Sequence, residues 1–268
     1  MRNKYKLIAF DIDDTLLNSE KLITPKTRNC LLNAQSAGIK LCVASGRLPY
    51  GVKPYAEELD VLNNGGYYMG FNGGAVLDSN SNLIGTTFLD SKYIEPVYEV
   101  IRPTNITTIV HKGDVIYADK KVNAYTHIEP DVIGLPLNLV DDIVEFVDWE
   151  IPKILLCGEP DELKETEKAL IKKFGYEVDI YFSAPWFLEV MPKGINKGIG
   201  IEIVCRDMGI DLSEVIAFGD NYNDIPMLKK AGLGVAMGNA DEKVKASADY
   251  VTDTCDLDGI AKALNKFL

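Results

Sequence analysis

Short apolar runs alternate with longer amphipathic stretches at the start of the chain. Residues 7–10 are typical of a buried strand in a parallel sheet. Thr24 and Pro25 are typical of the first positions of a helix, which we expect to reach Ala37. A second apolar run follows at residues 39–44. Strand, helix and strand in this order predict right-handed βαβ units and a parallel sheet.

The last third of the chain repeats this alternation. Apolar runs at residues 215–218 and 233–237 predict two further strands. Amphipathic stretches at residues 197–208, 224–230 and 257–267 predict helices. This part of the chain is therefore expected to belong to the same parallel sheet.

The middle of the chain follows a different pattern. Residues 76–84 and 106–117 each predict a β-hairpin, because two apolar runs flank a polar turn. Helical patterns at residues 91–101 and 161–174 stand among strands without strict alternation. Hairpins and helices mixed in this way are typical of an α+β domain.

Together these patterns predict an α/β fold in which a Rossmann-like parallel-sheet core is interrupted by an inserted α+β domain. We place the core at residues 1–86 and 189–268, and the insert at residues 87–188. The composition agrees with two folded domains, because 47% of the 268 residues are hydrophobic and 25% are charged.

The chain is acidic, which restricts its partners. Forty Asp and Glu against 28 Lys and Arg give a net charge of -12, so we expect no binding to nucleic acid or to an anionic membrane. Apolar runs are too short for a membrane span, and the five cysteines lack metal-ligand spacing. These features favour a protein of the reducing cytoplasm, either a monomer or a homodimer.

Two acidic clusters follow predicted strands. Asp11 and Asp13 come directly after the first strand, and Asp220 and Asp224 follow the strand at residues 215–218. Ligands of open α/β sheets bind at the carboxyl ends of strands, so these carboxylates are expected at a ligand site. With a divalent cation, one carboxylate can attack phosphorus while another transfers protons. Acidic loops that only cap a helix are the competing interpretation.

Two further polar motifs extend this candidate site. Ser45 and Gly46 follow the second predicted strand and can donate hydrogen bonds to a phosphate oxygen. Lys197 begins a predicted helix, where its charge opposes the helix dipole, which favours a functional role. A Ser-Gly turn and a solvated lysine are each ordinary features. Their shared position at strand ends and helix starts of one sheet favours a phosphate site.

The motifs Asp-x-Asp-x-Thr, Ser-Gly-Arg, Lys-Gly and Gly-Asp-x-x-x-Asp, in this order, resemble the four motifs of the haloacid dehalogenase superfamily. The insert between the second and third motifs is similar to the α/β cap of the Cof-type phosphatases. Residues 71–74, 183–189 and 236–240 also resemble that branch, and especially its bacterial sugar phosphatases. The resemblance spans residues 7–267, although Asp14 stands where the family often has Gly.

This resemblance implies a Mg²⁺-dependent phosphatase that works through an aspartyl-phosphate. Asp11 would be the nucleophile. Asp13 would protonate the leaving oxygen and then activate water. Mg²⁺ would be held by the Asp11 carboxylate, the Asp13 backbone carbonyl and Asp220, and Asp224 would lie nearby or orient the site.

The same resemblance implies the residues that bind substrate. The phosphate would be held by donors from the motif loops, namely the Ile12 amide, Ser45, the Gly46 amide, Lys197 and Asn223. Arg47 and Asn72 would contact the substrate at the rim that faces the cap. The cap would close over a small phosphorylated metabolite, and sugar phosphates are the first expectation.

Two other functions remain open at this stage. A phosphomutase would form the same aspartyl-phosphate but would pass the phosphoryl group on to give an isomerised product. A non-enzymatic phosphate-responsive module, similar to response-regulator receivers, also gathers acidic residues, a Ser or Thr and a Lys at strand ends. A receiver, however, needs neither a long insert nor a second acidic residue two positions after the first.

Overall fold

The computed structural model of the protein describes residues 4–268. Its strands are β1 (Leu7–Asp11), β2 (Lys40–Ala44), β3 (Tyr67–Gly70), β4 (Ala75–Leu77), β5 (Leu83–Thr86), β6 (Thr107–Lys112), β7 (Val115–Asp119), β8 (Leu137–Val140), β9 (Ile154–Cys157), β10 (Val178–Ala184), β11 (Phe187–Pro192), β12 (Val215–Gly219), β13 (Leu233–Ala236) and β14 (Tyr250–Val251). Its α-helices are α1 (Pro25–Ser36), α2 (Pro49–Glu58), α3 (Ile94–Ile101), α4 (Ile128–Ile133), α5 (Ile143–Phe146), α6 (Pro160–Phe174), α7 (Lys197–Met208), α8 (Ile225–Lys230), α9 (Glu242–Lys245) and α10 (Gly259–Phe267).

These elements form two compact units. The first contains the described residues up to Thr86 together with Asn196–Leu268, and the second is Thr87–Ile195. Within residues 4–268, no helix combines the length and the apolar character that crossing a bilayer requires.

The first unit is built on an eight-stranded sheet with the order β14-β13-β12-β1-β2-β3-β4-β5. The strands from β14 to β3 are parallel to their neighbours, and β4 and β5 are antiparallel additions at one edge. Every residue of β1 and β12 is buried, because the sheet is covered on both faces. This burial accounts for the continuous apolar runs in the sequence.

Helices cover the two faces of this sheet. On one face, side chains of α1, α2 and α10 pack with Ile8 and Phe10 of β1. On the other face, side chains of α7, α8 and α9 pack with Leu7 and Ala9 of the same strand. Successive residues of a strand point to opposite faces, so β1 contributes to both hydrophobic cores. The predicted α/β fold with a parallel-sheet core is confirmed.

The second unit contains a six-stranded sheet with the order β10-β11-β9-β6-β7-β8. Its neighbouring strands are antiparallel except for β7 and β8. Helices α3 and α6 pack on one face. The other face carries Ile109 and Leu155, and Tyr125 and Leu135 from the segment between β7 and β8 pack against it. This unit is therefore an α+β domain.

The second boundary of the insert differs from the prediction. We expected the core to resume at residue 189, but the second unit continues to Ile195. The reason is β11, which pairs with β9 on one side and with β10 on the other. Its backbone hydrogen bonds therefore lie in the six-stranded sheet and not in the core.

A buried group of charged side chains lies in the second unit. Lys153 Nζ lies 3.2 Å from Glu129 Oε1 and 3.0 Å from Glu189 Oε1, and His111 Nε2 lies 3.4 Å from Glu129 Oε1. Burial acts to raise the pKa of Glu129, but Lys153 and His111 outweigh it and lower this pKa to about 2. Lys153 therefore neutralises carboxylates that burial alone would destabilise.

Substituting Lys153→Ala should lower the free energy of unfolding by about 3–5 kcal/mol, because it leaves buried carboxylates without a countercharge. Lys173→Ala is the matched control, since Lys173 pairs with exposed Glu99 at 2.8 Å in the same unit. We expect that control to lose about 1 kcal/mol or less. Urea denaturation of both variants measures the difference, and equal losses would contradict the prediction.

Candidate active site

Four loops that follow neighbouring parallel strands carry all the predicted site residues except Lys197, which begins α7. In the sheet, β12, β1, β2 and β3 are adjacent. Asp220 follows β12, Asp11 ends β1 and is followed by Ile12, Ser45 follows β2, and Asn72 lies in the turn after β3. The carboxyl ends of parallel strands meet at one edge of the sheet, so the topology brings these loops together.

Lys197 is the centre of a buried charge cluster. Its Nζ donates to Asp11 Oδ1 at 2.5 Å and to Asp224 Oδ1 at 2.6 Å. The side chain is 0% exposed, so this lysine is not the solvated residue that a helix start usually carries. It is the first residue of α7, where Asn196 caps the helix by accepting from the Ile199 amide at 3.1 Å. The two carboxylates offset the unfavourable position of a cation at a helix N-terminus.

Asp224 organises the loop that carries Asp220. Its Oδ2 accepts hydrogen bonds from the backbone amides of Asp220 and Asn221, both at 3.0 Å, while Oδ1 binds Lys197. A glycine is required at position 219, because a Cβ atom there would collide with the side chain of Asp224. Asp224 therefore fixes both the loop after β12 and the ammonium of Lys197.

Thr15 links this loop to the loop after β1. Its Oγ1 donates to Asp220 Oδ1 at 2.7 Å. The sequence placed Thr15 in the first motif but suggested no role for it, and the only local signal is a hydroxyl four positions after Asp11. Burial raises the pKa of Asp220 to about 6, the Thr15 hydrogen bond opposes this rise, and the charge of Asp224 adds to it.

The cluster carries more negative than positive charge. Burial raises the pKa of Asp11 to about 8, with Lys197 opposing the rise and Asp224 adding to it. Burial disfavours the ammonium of Lys197, but Asp11 and Asp224 outweigh this effect and raise its pKa above the ordinary value. Burial is thus the main cause of the Asp11 shift, whereas the carboxylates that share the single ammonium cause the Lys197 shift. A second positive charge would therefore be stabilised here.

Three of these carboxylates fit a divalent cation. One oxygen from each of Asp11, Asp220 and Asp224 lies within 4.8 Å of the other two. Hard divalent cations prefer oxygen ligands and neutralise the surplus negative charge. The carboxylate of Asp13 is not one of the three. Its predicted contribution to the metal site is through the backbone carbonyl and stays a prediction.

The side chain of Asp13 pairs with Arg47. Asp13 is extended (φ −74°, ψ 127°), and Asp14 is left-handed at φ 58°, a conformation that suits its position where Gly is common in the family. Arg47 Nε donates to Asp13 Oδ2 at 3.0 Å and Nη2 donates to Oδ1 at 2.8 Å. The sequence suggested Arg47 only as a substrate contact, so this ion pair was not foreseen.

Asn72 connects the loops after β2, β3 and β12. The side-chain Oδ1 of Asn72 accepts a hydrogen bond from Asn223 Nδ2 at 2.9 Å, and the backbone N–H of Asn72 donates to the Ser45 carbonyl at 2.9 Å. A Cβ atom on Gly46 would lie 3.2 Å from Asn72 Oδ1, so these loops are in close contact. Ser45 Oγ accepts from the Arg47 amide at 3.1 Å, which keeps its own hydrogen for another acceptor. The structure thus groups five of the predicted substrate residues, namely Ser45, Gly46, Arg47, Asn72 and Asn223.

Comparison with known proteins gives matches over nearly the whole chain. Residues 8–264 match the family described as haloacid dehalogenase-like hydrolase. The 5-amino-6-(5-phospho-D-ribitylamino)uracil phosphatase YcsE of Bacillus subtilis is 33% identical over 263 residues, which are 98% of this chain and 96% of that protein.

Two solved structures are similar in fold. A haloacid dehalogenase-like hydrolase from Bacteroides thetaiotaomicron has a TM-score of 0.91 and 34% identity, covering 98% of this chain and 100% of its own. The HAD subclass IIB sugar phosphatase BT4131 has a TM-score of 0.82 and 30% identity, covering 98% of each chain. Both the core and the insert therefore have counterparts in these proteins.

Binding of a divalent cation to the acidic cluster should stabilise the protein. At a Mg²⁺ concentration 100 times the dissociation constant, the gain is about 2.7 kcal/mol, which raises the midpoint of thermal unfolding. Asp220→Asn removes the charge of a predicted ligand and should reduce this shift. Asp253→Asn is the control, because Asp253 pairs with Lys262 at the surface at 2.5 Å. Thermal unfolding with Mg²⁺ and with EDTA measures the shift, and an undiminished shift in Asp220→Asn would contradict the assignment.

Proposed function

This chain belongs to the haloacid dehalogenase-like hydrolase family and is a phosphoric monoester hydrolase, and we propose that it is a Mg²⁺-dependent phosphatase of small phosphorylated metabolites, above all sugar phosphates. The Lys197 cluster is the observation that carries this proposal. It holds Asp11 at the end of a central strand, 2.5 Å from a buried ammonium and beside two further carboxylates. A carboxylate nucleophile beside an ammonium and a site for a divalent cation is what phosphoryl transfer requires.

In the first half of the reaction, Asp11 attacks the phosphorus atom. A bond forms between its carboxylate oxygen and phosphorus, the bond to the leaving oxygen breaks, and an aspartyl-phosphate results. Lys197 supports this step by balancing negative charge. An ammonium has three N–H donors, and Asp11 and Asp224 use two of them, so one is left for a phosphoryl oxygen.

Asp13 transfers the protons in both halves of the reaction. It donates a proton to the leaving oxygen as that bond breaks. In the second half it takes a proton from the water that attacks phosphorus, which releases inorganic phosphate and restores the Asp11 carboxylate. Its position two residues after Asp11, in an extended segment outside the Lys197 cluster, supports a role distinct from that of the nucleophile.

The remaining residues hold the phosphate and the cation. A bound Mg²⁺ supplies positive charge that offsets the charge developing on the phosphoryl oxygens. Asp11 and Asp220 would hold it together with the Asp13 carbonyl, and Asp224 would orient these ligands. Donors to the phosphate are the predicted set, namely the Ile12 amide, Ser45, the Gly46 amide, Lys197 and Asn223.

The preference for sugar phosphates rests on the relatives. YcsE is named for a substrate with a phosphorylated ribityl chain, and BT4131 is described as a sugar phosphatase. Both leaving groups carry several hydroxyls. We therefore infer that Asn72, which lies beside the phosphate residues, faces a polyhydroxy leaving group.

Asp11→Asn should reduce the hydrolysis of p-nitrophenyl phosphate by about 10³-fold or more, because the amide is a poor nucleophile and bears no charge. Asp14→Asn is the matched control. Asp14 lies in the same turn, but its side chain is exposed and pairs with Lys21 at 3.1 Å, so activity should persist. A wild-type rate for Asp11→Asn would overturn the nucleophile assignment.

A panel of phosphate esters tests the substrate class and the cation together. Sugar phosphates, nucleotides, flavin mononucleotide, pyridoxal phosphate and phosphoglycolate are incubated with Mg²⁺ or with EDTA, and inorganic phosphate is measured. We expect release that depends on Mg²⁺ and is fastest with sugar phosphates. Faster release from the other esters would overturn the substrate class, and isomerised sugar without phosphate release would identify a mutase.

A further inference from the structure

Arg47 donates hydrogen bonds to both oxygens of the Asp13 carboxylate. Its Nε lies 3.0 Å from Oδ2 and its Nη2 lies 2.8 Å from Oδ1. Two parallel hydrogen bonds from a planar guanidinium fix the plane of a carboxylate as well as its position. A lysine in place of Arg47 would keep the charge but lose this geometry.

Tyr55 in turn holds the guanidinium of Arg47. The Tyr55 hydroxyl accepts a hydrogen bond from Arg47 Nη1 at 3.2 Å, and Arg47 Cζ lies 5.4 Å from the centre of the tyrosine ring. The backbone of Arg47 is also fixed, because its amide donates to Ser45 Oγ at 3.1 Å and its carbonyl accepts from the Phe71 amide at 2.8 Å. The arginine is therefore held at its backbone by the motif loops and at its tip by helix α2.

This arrangement adds little to stability. The side chains of Arg47 and Asp13 are 27% and 41% exposed, and ion pairs that water reaches contribute little to folding. An ordered chain of three side chains, from Tyr55 through Arg47 to Asp13, thus needs another explanation. Its geometry is directed at one carboxylate, and that carboxylate is the proposed proton donor and acceptor.

From these contacts we infer that Arg47 and Tyr55 are positioning residues that hold the Asp13 carboxylate for proton transfer. The inference rests on the proposed function, in which Asp13 protonates the leaving oxygen and later deprotonates water. Tyr55 lies outside the four motifs, so this role was not predicted from the sequence. If the two residues act through Asp13, their loss must matter most where the reaction depends most on a proton.

Two aryl phosphates of similar size separate this role from direct substrate binding. p-Nitrophenolate leaves as a stable anion, whereas phenolate is more basic and gains more from a proton in the transition state. The ratio kcat/KM reports the steps up to formation of the aspartyl-phosphate. We expect Arg47→Lys to lower kcat/KM for phenyl phosphate by about 100-fold and Tyr55→Phe by about 10-fold, with losses for p-nitrophenyl phosphate several times smaller.

Matched controls come from the same unit. Tyr50→Phe changes an exposed tyrosine of the same helix, and Arg28→Lys changes a half-buried arginine of α1 that donates to the Glu58 carbonyl at 3.3 Å. Both controls should retain the wild-type rates with each substrate. Thermal unfolding of Arg47→Lys and Tyr55→Phe should match the wild type, which separates lost positioning from lost folding.

The double variant Asp13→Asn with Arg47→Lys decides whether Arg47 acts through Asp13. We expect it to be no slower on phenyl phosphate than Asp13→Asn alone, because the group that Arg47 positions is already disabled. Multiplied losses, or equal losses on the two substrates in Arg47→Lys, would overturn the inference and make Arg47 a direct substrate contact.

The same assays distinguish failure of this inference from failure of the proposed function. If Asp13→Asn is impaired mainly on phenyl phosphate while Arg47→Lys and Tyr55→Phe are not, the proposed role of Asp13 stands and the positioning role falls. If the wild type releases phosphate from neither ester, or if Asp13→Asn matches the wild type on both, the proposed function fails at that step and the inference fails with it.

Discussion

A fully buried ammonium is stable only where carboxylates replace its lost hydration, and the site depends on this constraint. Lys197 meets it with Asp11 and Asp224, at 2.5 and 2.6 Å. Removing any one partner would leave an uncompensated buried charge, which is among the most destabilising changes in a protein interior. The end of β1, the loop after β12 and the start of α7 are therefore held together by the same interaction that sets the charge of the site.

The carboxylates around Lys197 outnumber its single ammonium, and Asp13 pairs with Arg47 instead. The site therefore contains two separate groups of charged side chains. Around Lys197, burial raises the pKa of Asp11 to about 8 and that of Asp220 to about 6, and the charge of Asp224 adds to both rises, so an added cation is favoured. Asp13 lies outside this system, since the left-handed residue Asp14 turns the chain and Arg47 takes up the carboxylate. The proposed nucleophile Asp11 is thus buried among charged side chains, whereas Asp13, the proposed proton-transfer group, is partly hydrated. These settings suit their different tasks.

Local signals explain which parts of the fold and site could be predicted. Helix α7 was predicted at its observed bounds because its cap at Asn196 and its left-handed end at Gly209 are properties of neighbouring residues. The contacts that make the site work are not local. Asp11 and Lys197 are 186 positions apart, and Thr15 and Asp220 are 205 apart. Sequence motifs could place these residues at one sheet edge, but the burial of Lys197 and the Thr15 hydrogen bond depend on tertiary packing.

Several short elements of the insert could not be predicted either, because they also depend on contacts between distant residues. Helices α4 and α5 and strand β8 have 6, 4 and 4 residues, too few to show a hydrophobic period, and the sequence predicted none of them. Each depends on partners elsewhere: β8 pairs with β7, and α4 supplies Glu129 to the buried Lys153. Such short elements gain little from their own hydrogen bonds, because helix nucleation is unfavourable and an isolated strand has no ladder. Their positions are determined by contacts with other elements of the unit, so no pattern within them could have revealed them.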